Sequence, residues 1–394
     1  MHFLERLGLA LDFDRAQGAC VRSADGRSFV DCVAGYGNLN VGHNHPAVVA
    51  AVVAELRSPR PFNWPFISDV ESNLAERLAA ASPGELDCVL VVNSGSEAVE
   101  SALKLVRLVT RQAGVIAAKG AWHGFTLGAM SISEPTMVRD FEMADGRVTH
   151  VPFGDVTAAA EAIEANTGAV IVEPVQAESG ALVPPDGYLP ALQELCRERD
   201  ILLVLDEIKT GLGKTGTLWA CDREGVVPDV LLTGKSLGGG TMPIGALVAK
   251  RSLWAKVGLS FPMSASSGMG NAPACAAGLA TLDVIRSEQL VERAAALGDR
   301  LDRTLRDLAE AYPSIVTDVS GHGLLLGLGF RTPRLATSVV AECVRHGVLV
   351  MPAFCNRARL LVEPPLTIAD QEVAVVQEAL TGAVAQVAGS AQNG

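Results

Sequence analysis

The sequence predicts an α/β protein in which a large, mostly parallel sheet is covered by helices and joined to a smaller α+β domain. Apolar residues make up 49% of the 394 residues and charged residues 19%, which supports a large buried core and excludes a disordered chain. Runs of successive apolar residues alternate with helical patterns, and such runs are typical of parallel strands buried on both faces. We predict these strands at 89–92, 115–118, 169–172, 201–205, 230–232 and 245–249.

The two ends of the chain are expected to build the smaller domain together. The turn at Asp25-Gly26-Arg27, followed by the run 28–33, predicts a hairpin near the N-terminus. Leucines and alanines spaced three to five residues apart between Pro273 and Pro313 predict a long helical stretch that leaves the large domain. After it we predict strands at 324–330, 348–351 and 359–362 and helices at 335–346 and 370–387. The predicted segments are 1–45 (small domain), 46–280 (large domain with a seven-stranded sheet) and 281–394 (linking helix and small domain).

Charge and cysteine usage exclude several function classes. The net charge of −12 lacks the basic footprint that nucleic acid or an anionic membrane requires. Eight cysteines without a Cys-x-x-Cys pair predict free thiols, and the N-terminus lacks a signal-peptide pattern, so we expect a cytoplasmic protein without a metal site. Residues 257–282 carry no charge, but their Ser, Gly and Pro content argues against a spanning helix and favours a loop that faces a specific partner.

The first element suited to chemistry follows the predicted strand 89–92. There, Ser94-Gly95-Ser96 forms a tight turn into a helix, and the backbone N–H groups and dipole of a helix start favour a phosphate. Either serine could instead simply cap the helix, with Glu97 or Glu100 in the first turn.

Two further elements lie at the ends of later strands. Asp206 and Glu207 follow the strand 201–205, at the edge where open α/β sheets bind ligands, although two acids could also hold Mg²⁺ or cap a turn. Lys235 follows the strand 230–232 and precedes three glycines, a setting that lowers the pKa of an amine towards that of a nucleophile. Alternatively, this lysine could bind phosphate or belong to a dinucleotide loop, but no Gly-x-Gly-x-x-Gly follows a strand here.

Together, a phosphate turn, an acid at a strand end and a glycine-framed lysine are what pyridoxal phosphate needs. From about Asp25 to Ile368 the chain resembles the class III, ω-type aminotransferases of the fold type I pyridoxal phosphate enzymes. The resemblance rests on these motifs in order: Asp25-Gly26, Asp31, Gly42-His43-Asn44-His45-Pro46, Ser94-Gly95-Ser96-Glu97-Ala98, Trp122-His123-Gly124, Glu173-Pro174-Val175-Gln176, Asp206-Glu207, Pro228-Asp229, Gly234-Lys235, Pro243-Ile244-Gly245-Ala246 and Pro364-Pro365-Leu366.

The resemblance implies a role for each matching residue. Lys235 would form the Schiff base and then move the substrate proton, and Asp206 would pair with the pyridine nitrogen. The other implied cofactor contacts are Gly95 and Ser96 at the phosphate, Ile208 and Trp122 on the two ring faces, and His123. Ser267 would reach the phosphate of a neighbouring subunit, which implies a homodimer with shared active sites. The second subunit would then be the partner that the uncharged stretch 257–282 faces.

The chain departs from the family at the substrate side of the site. Lys209 stands where a Gln usually bonds the cofactor's ring oxygen, so the resemblance places it among the cofactor contacts, with a carboxylate pair as the alternative. Leu361 stands where many relatives have a carboxylate-binding Arg that pairs with a gate Glu, here Glu178. Arg359 lies on the same face of that strand and could replace the missing Arg; otherwise Glu178 lacks a partner. Aromatic pocket positions are matched by Tyr36, Phe62 and Trp64.

These assignments predict an aminotransferase that moves an amino group from an amine or amino acid to an aldehyde or ketone, including terminal aldehydes and keto acids. One substrate is expected to lack an α-carboxylate and to be recognised through Glu178. The alternative within the family is an aminomutase, decarboxylase, epimerase or lyase, which would need no second carbonyl substrate. A nicotinamide-dependent oxidoreductase is disfavoured because the dinucleotide fingerprint is missing, and a non-catalytic relative because Lys235 and Asp206 are both present.

Overall fold

The computed structural model of the chain describes residue 5 and residues 11–59, 67–138, 147–257 and 266–392. Within these ranges a seven-stranded sheet forms the centre of the molecule. Its strands are β4 (Cys88–Val92), β5 (Gly114–Ala118), β6 (Val148–Val151), β7 (Thr167–Val172), β8 (Leu202–Asp206), β9 (Val230–Thr233) and β10 (Gly245–Ala249). They lie in the order β4-β10-β9-β8-β7-β5-β6. Strand β10 pairs antiparallel with both neighbours, and the other pairings are parallel.

Both faces of the large sheet are buried, as the apolar runs predict. Alternate residues of one strand enter different hydrophobic clusters: Val170 and Val172 pack into one, Ala169 and Ile171 into the other. This division confirms a mostly parallel sheet covered by helices on both sides. The edge strand β6 was not predicted, because Thr149 and His150 interrupt its apolar run.

Several helices begin on capping residues. The side chains of Ser68, Ser94 and Thr332 each accept a hydrogen bond from the backbone three residues on, which satisfies a donor of the first turn. Besides a kinked helical turn at Ala34–Gly37, the α-helices in the described ranges are α1 (Pro46–Leu56), α2 (Asp69–Ala81), α3 (Gly95–Thr110), α4 (Leu127–Ser131), α5 (Pro135–Val138), α6 (Val156–Glu161), α7 (Tyr188–Glu198), α8 (Arg251–Val257), α9 (Ala272–Ser287), α10 (Leu290–Ala311), α11 (Pro333–Arg345) and α12 (Asp370–Gln392).

Two four-stranded sheets contain the rest of the strands in the described ranges, and one of them joins the two chain ends. These strands are β1 (Phe13–Gln17), β2 (Cys20–Ser23), β3 (Ser28–Asp31), β11 (Val316–His322), β12 (Leu325–Phe330), β13 (Val348–Leu349), β14 (Met351–Pro352) and β15 (Arg359–Val362). The joining sheet has the order β1-β2-β3-β13, with β3 and β13 parallel, so the predicted N-terminal hairpin does pair with a C-terminal strand. The other sheet has the order β11-β12-β15-β14.

Two sequence-based expectations need correction here. The predicted strand 348–351 is two short strands in different sheets, because the chain crosses from one sheet to the other at Val350. The helical stretch between Pro273 and Pro313 is two helices, interrupted at Gln289, whose φ of +52° is left-handed. The domain boundaries remain a prediction.

The uncharged stretch 257–282 continues from a turn after Ser266 into α9, while residues 258–265 lie outside the described ranges. Among the helices that the structure describes, none combines the length and the apolar character needed to cross a membrane.

A tight turn at Gly323, between β11 and β12, packs against the loop that follows β8 of the large sheet. The turn fits between α10 and the loop after β8, where the Leu324 N–H donates to the Lys214 carbonyl at 3.0 Å. In turn, the buried Lys214 ammonium donates to the carbonyls of Glu363 and Pro364 at 2.9 and 2.8 Å. These contacts fix the segment after β15 relative to the loop after β8.

Two helical glycines are expected to respond in opposite ways to replacement by alanine, because Gly298 of α10 is packed against this turn and Gly382 of α12 has room for a methyl group. A Cβ on Gly298 would overlap the Gly323 carbonyl, whereas one on Gly382 in α12 would meet His346 Nε2 at an ordinary 3.6 Å. We expect Gly298→Ala to lower the free energy of unfolding by about 1–3 kcal/mol. In contrast, Gly382→Ala should raise it by up to about 1 kcal/mol through helix propensity. Denaturant titration of both variants measures this, and stabilisation by Gly298→Ala would contradict the packing.

Candidate active site

The start of α3 provides an anion-binding edge. Ser94 caps the helix by accepting from the Glu97 N–H at 3.2 Å, so the capping alternative holds for this serine. The backbone N–H groups of Gly95 and Ser96 belong to the first turn, which has no intrahelical acceptors for them. A Cβ on Gly95 would approach Ile208 to 3.0 Å, so glycine lets the two segments pack closely. A phosphate group fits at this helix start.

Asp206 ends β8 as a buried carboxylate held by two contacts. Its Oδ1 accepts from the Ile208 N–H at 3.0 Å, and its Oδ2 lies 2.7 Å from His123 Nδ1. Burial alone would lower the pKa of His123, but the hydrogen bond and charge of Asp206 outweigh burial and raise it. The imidazole therefore holds the Asp206 carboxyl group in a fixed orientation.

Glu207 points to a different set of partners. Its carboxylate accepts from the Cys221 N–H at 2.8 Å and from the Thr210 hydroxyl. The two adjacent acids therefore do not converge, which removes the basis for a Mg²⁺ site. Within the described ranges, no group of three or more His, Cys, Asp or Glu residues is arranged to hold a metal ion.

Lys235 begins a short 3₁₀ helix directly after β9 and has a left-handed φ of +42°. Such a backbone is costly for a non-glycine residue and is common at functional sites. Burial and the nearby Lys209 ammonium lower the pKa of Lys235. Its amine therefore deprotonates more readily than an ordinary lysine, as a nucleophilic role requires.

One cavity brings these elements together at the carboxyl edge of the large sheet. Its lining residues come from the ends of several strands and from the start of α3, and they are Ser94, Gly95, Ser96, Trp122, His123, Gly124, Phe125, Glu173, Asp206, Ile208, Lys209 and Lys235. The donor set fits pyridoxal phosphate: a helix start for the phosphate, a buried acid for the pyridine nitrogen and an amine for attachment. Trp122 and Ile208 supply the apolar surface that a ring needs.

Glu173, whose role the sequence left open, is a buried acid on the wall of this cavity. One oxygen accepts from the Trp122 N–H at 3.2 Å. Burial raises the pKa of Glu173 to about 8, against the opposing influence of His123. Glu173 is therefore expected to be neutral at pH 7 beside the hydrogen-bonded pair of His123 and Asp206.

Lys209 lines the cavity with its ammonium bound by two carboxyl groups. Its Nζ lies 2.7 Å from Glu178 Oε1 and 3.1 Å from Glu363 Oε1. Burial would lower the pKa of Lys209, but the charges of Glu363 and Glu178 raise it. This is the carboxylate pairing that the sequence offered as an alternative, and a contact with the cofactor's ring oxygen remains a prediction. Glu178 therefore does have a cationic partner.

Arg359, the expected substitute for the missing arginine, is bound by other partners in this structure. Its guanidinium donates to Asp318 at 2.5 Å, to Ser320 at 2.6 Å and to the Gly180 carbonyl at 3.2 Å. These partners hold the guanidinium against β11, and its role towards a substrate carboxylate remains a prediction. At the usual Arg position, Leu361 packs in an apolar cluster with Val175, Ala177, Ala181, Leu325 and Ala353.

The other expected site residues have mixed outcomes. Tyr36 lies with its ring centroid 6.0 Å from Lys209 Nζ, at a left-handed φ of +57°. Ser267 does not line the cavity of its own chain, and its carbonyl accepts from the Asn93 amide at 3.1 Å. Phe62 and Trp64 lie outside the described residues.

Three residues of this region were missed in the sequence, and one of them, Phe125, lines the cavity beside Trp122. Phe354 packs edge-on against Trp122, with centroids 4.7 Å apart, and extends the aromatic wall. Glu363 immediately precedes Pro364-Pro365, and this adjacency to a recognised motif is the signal that could have identified it.

Comparison with known proteins agrees with this geometry. The family model described as "Aminotransferase class-III" matches residues 5–384. A putrescine aminotransferase of Pectobacterium atrosepticum is 39% identical over 365 residues, covering 90% of this chain and 78% of the relative. A thermostable (S)-enantioselective ω-transaminase from Thermomicrobium roseum superposes with a TM-score of 0.90 at 30% identity, covering 98% and 94% of the two chains. The ornithine aminotransferase from Toxoplasma gondii gives 0.89 at 31% identity, covering 96% and 90%.

The raised pKa of Glu173 predicts a pH-dependent stability difference. An acid that is protonated in the folded state up to about pH 8, but ionised above its ordinary 4.5 when unfolded, loses stability as pH rises between these values. Glu173→Gln stays neutral, so its melting temperature should gain on that of the wild type from pH 5 to 8 and then level off. Thermal melts across this range measure the difference, and parallel curves would contradict a buried neutral acid.

Proposed function

The chain belongs to the class III aminotransferases, enzymes that use pyridoxal phosphate to move an amino group to an aldehyde or ketone, and we propose that its donor is a diamine. The main support is that the Lys209 ammonium is already paired with Glu178 and Glu363. Position 361 is an apolar leucine, and the Arg359 guanidinium is paired with Asp318, so neither provides a free cation for a substrate carboxylate. The site therefore favours a substrate whose far end is cationic over one whose far end is a carboxylate.

Pyridoxal phosphate bound in this cavity would supply a ring that withdraws electrons from the substrate carbon, and Lys235 would be its attachment point. Gly95 and Ser96 would offer backbone N–H groups to its phosphate at the start of α3. Asp206, oriented by His123, would accept a hydrogen bond from the pyridine nitrogen. Ile208 and Trp122 would supply the apolar surfaces that orient the ring relative to Lys235.

Lys235 then acts as the acid–base group of the reaction. Its lowered pKa leaves a larger share of neutral amine at neutral pH, and this amine takes the proton from the donor's carbon. With water supplying the carbonyl oxygen, the donor would leave as an aldehyde or ketone, and the bound cofactor would keep the amino nitrogen until a second carbonyl compound accepts it. The same Lys235 returns the proton in the second half of the cycle, so one residue serves both substrates.

A diamine fits the charges on the substrate side. Glu178 lies within 4.0 Å of Lys235, so its carboxylate is within reach of the far end of a short donor. Nearby Lys209 and Lys235 lower the pKa of Glu178 in spite of its burial, which keeps it ionised. The similarity to a putrescine aminotransferase supports this substrate class, since putrescine carries two amino groups.

We further propose a cytoplasmic homodimer in which Ser267 of one subunit reaches the phosphate of the other. Several apolar side chains beside the site are exposed, among them Phe125 at 72% and Leu127 at 56%, and a second subunit would cover such a surface. All eight cysteines lie within the described ranges and are free, as expected in a reducing compartment. The segments 1–45 and 281–394 would form the small domain that packs against 46–280.

The donor proposal predicts a clear preference in the first half-reaction. Single-turnover conversion of the holoenzyme, followed by cofactor absorbance, needs no acceptor and compares 1,4-diaminobutane with 4-aminobutanoate and L-alanine. We expect the diamine to react at least about tenfold faster at equal subsaturating concentration, since one charge-assisted hydrogen bond has about this effect. Lys235→Ala should abolish the conversion with all three. A carboxylate-bearing donor that reacts as fast as the diamine would contradict the proposal.

The dimer proposal predicts a particle of twice the chain mass of 41.1 kDa in light scattering. Ser267→Ala should weaken cofactor retention on dialysis by about tenfold, because it removes one hydrogen bond to a charged group. The substitution Ser267→Thr keeps the hydroxyl and serves as the matched control. A monomer that retains cofactor and activity would exclude the shared site.

A further inference from the structure

Two carboxyl groups share one ammonium beside Lys235. Glu178 is 5% exposed, Glu363 1% and Lys209 4%, so the three charges lie away from bulk water. The second oxygen of each glutamate, Oε2, is buried without a hydrogen-bond partner among the described residues. Buried carboxylate oxygens are normally satisfied, so this spare capacity points to a hydrogen-bond donor that is not part of the chain.

Glu363 is held rigidly, while Glu178 faces the reacting amine. The Glu363 N–H donates to the Cys32 carbonyl at 2.9 Å, and its own carbonyl accepts from Lys214 Nζ at 2.9 Å. Above the cluster, a Cβ on Gly37 would come within 3.1 Å of Lys209 Cγ, so the glycine makes room for the lysine chain. In the described ranges, Glu178 is the carboxyl group of this pair that forms a contact with Lys235, at 4.0 Å.

We propose that Glu363 is a specificity-determining residue that retains the Lys209 ammonium while Glu178 binds the distal ammonium of the substrate. Burial raises the pKa of Glu363, and the nearby ammonium groups of Lys209 and Lys214 oppose this, so the charge of Glu363 depends on the lysine that it retains. With Glu363 ionised, two carboxylates meet two ammonium groups when a diamine is bound. Without it, Lys209 and the substrate compete for Glu178 alone and repel each other in a poorly screened environment. The inference rests on the diamine donor proposed above.

Glu363→Gln tests the role, because it removes the charge and keeps the shape. The readout is the ratio of kcat/KM for 1,4-diaminobutane to that for pentylamine, in which a methyl group replaces the distal ammonium. We expect the ratio to fall about tenfold or more, with pentylamine little changed. Asp318→Asn, which removes a carboxylate from the neighbouring Arg359 pair, is the matched control and should preserve the ratio.

Binding gives a second readout that is independent of turnover. The tetramethyl derivative of 1,4-diaminobutane has only tertiary nitrogens and cannot be transaminated, so calorimetry with the holoenzyme reports its Kd directly. This Kd should rise about tenfold in Glu363→Gln. If that variant does not fold, Glu363→Asp keeps the charge, withdraws it from Lys209, and should shift both readouts in the same direction by less.

The outcomes separate this inference from the function on which it rests. A wild-type enzyme that treats the diamine and pentylamine alike refutes the diamine donor and, with it, the role of Glu363. A wild-type preference that survives unchanged in Glu363→Gln refutes the role of Glu363 alone. Parallel losses with both amines would show that Glu363 is merely structural and also overturn the inference.

Discussion

The constraint on which the site depends is that several ionisable side chains are buried at one edge of the large sheet. A charge taken out of water is tolerated only when an opposite charge or a hydrogen-bond donor accompanies it. The structure meets this requirement in two groups: Asp206 with His123, and Glu178 with Lys209 and Glu363. The parallel strands bring Asp206, Glu178 and Lys209 together because their carboxyl ends meet at a common edge, and Glu363 is added from the segment after β15 of a smaller sheet.

The elements that the sequence predicted well are those determined by local patterns. Strand β10 was predicted with its observed bounds, Gly245–Ala249, since a buried strand shows every residue as apolar. In the same way, the turn at Gly95 and the lysine at 235 carry local signals, a glycine turn after a strand and glycines after a lysine. The edge strand β6 has no such signal, because solvent-facing positions allow Thr149 and His150.

Ion pairs between residues that are far apart in the sequence could not be predicted from local patterns. Lys209 lies 31 residues from Glu178 and 154 from Glu363, and only folding brings the three together. The partners of Arg359 were not predictable for the same reason, because strand periodicity gives its face but not its contact with Asp318 on β11, which lies beyond β12 in the sheet. The substrate side of the site, where pairing between distant segments decides the charge, was therefore less predictable than the cofactor side.

The division of the charges between β15 and the loop after β8 also restricts how this site can evolve. An arginine at Leu361 alone would place a cation in an apolar cluster, and a glutamine at Lys209 alone would leave Glu178 and Glu363 facing each other without a counter-ion. Each single step is therefore expected to be disfavoured, whereas the two together exchange one cation for another. Positions 209 and 361 should consequently change in concert during divergence, so that substrate preference in this lineage shifts by paired substitutions.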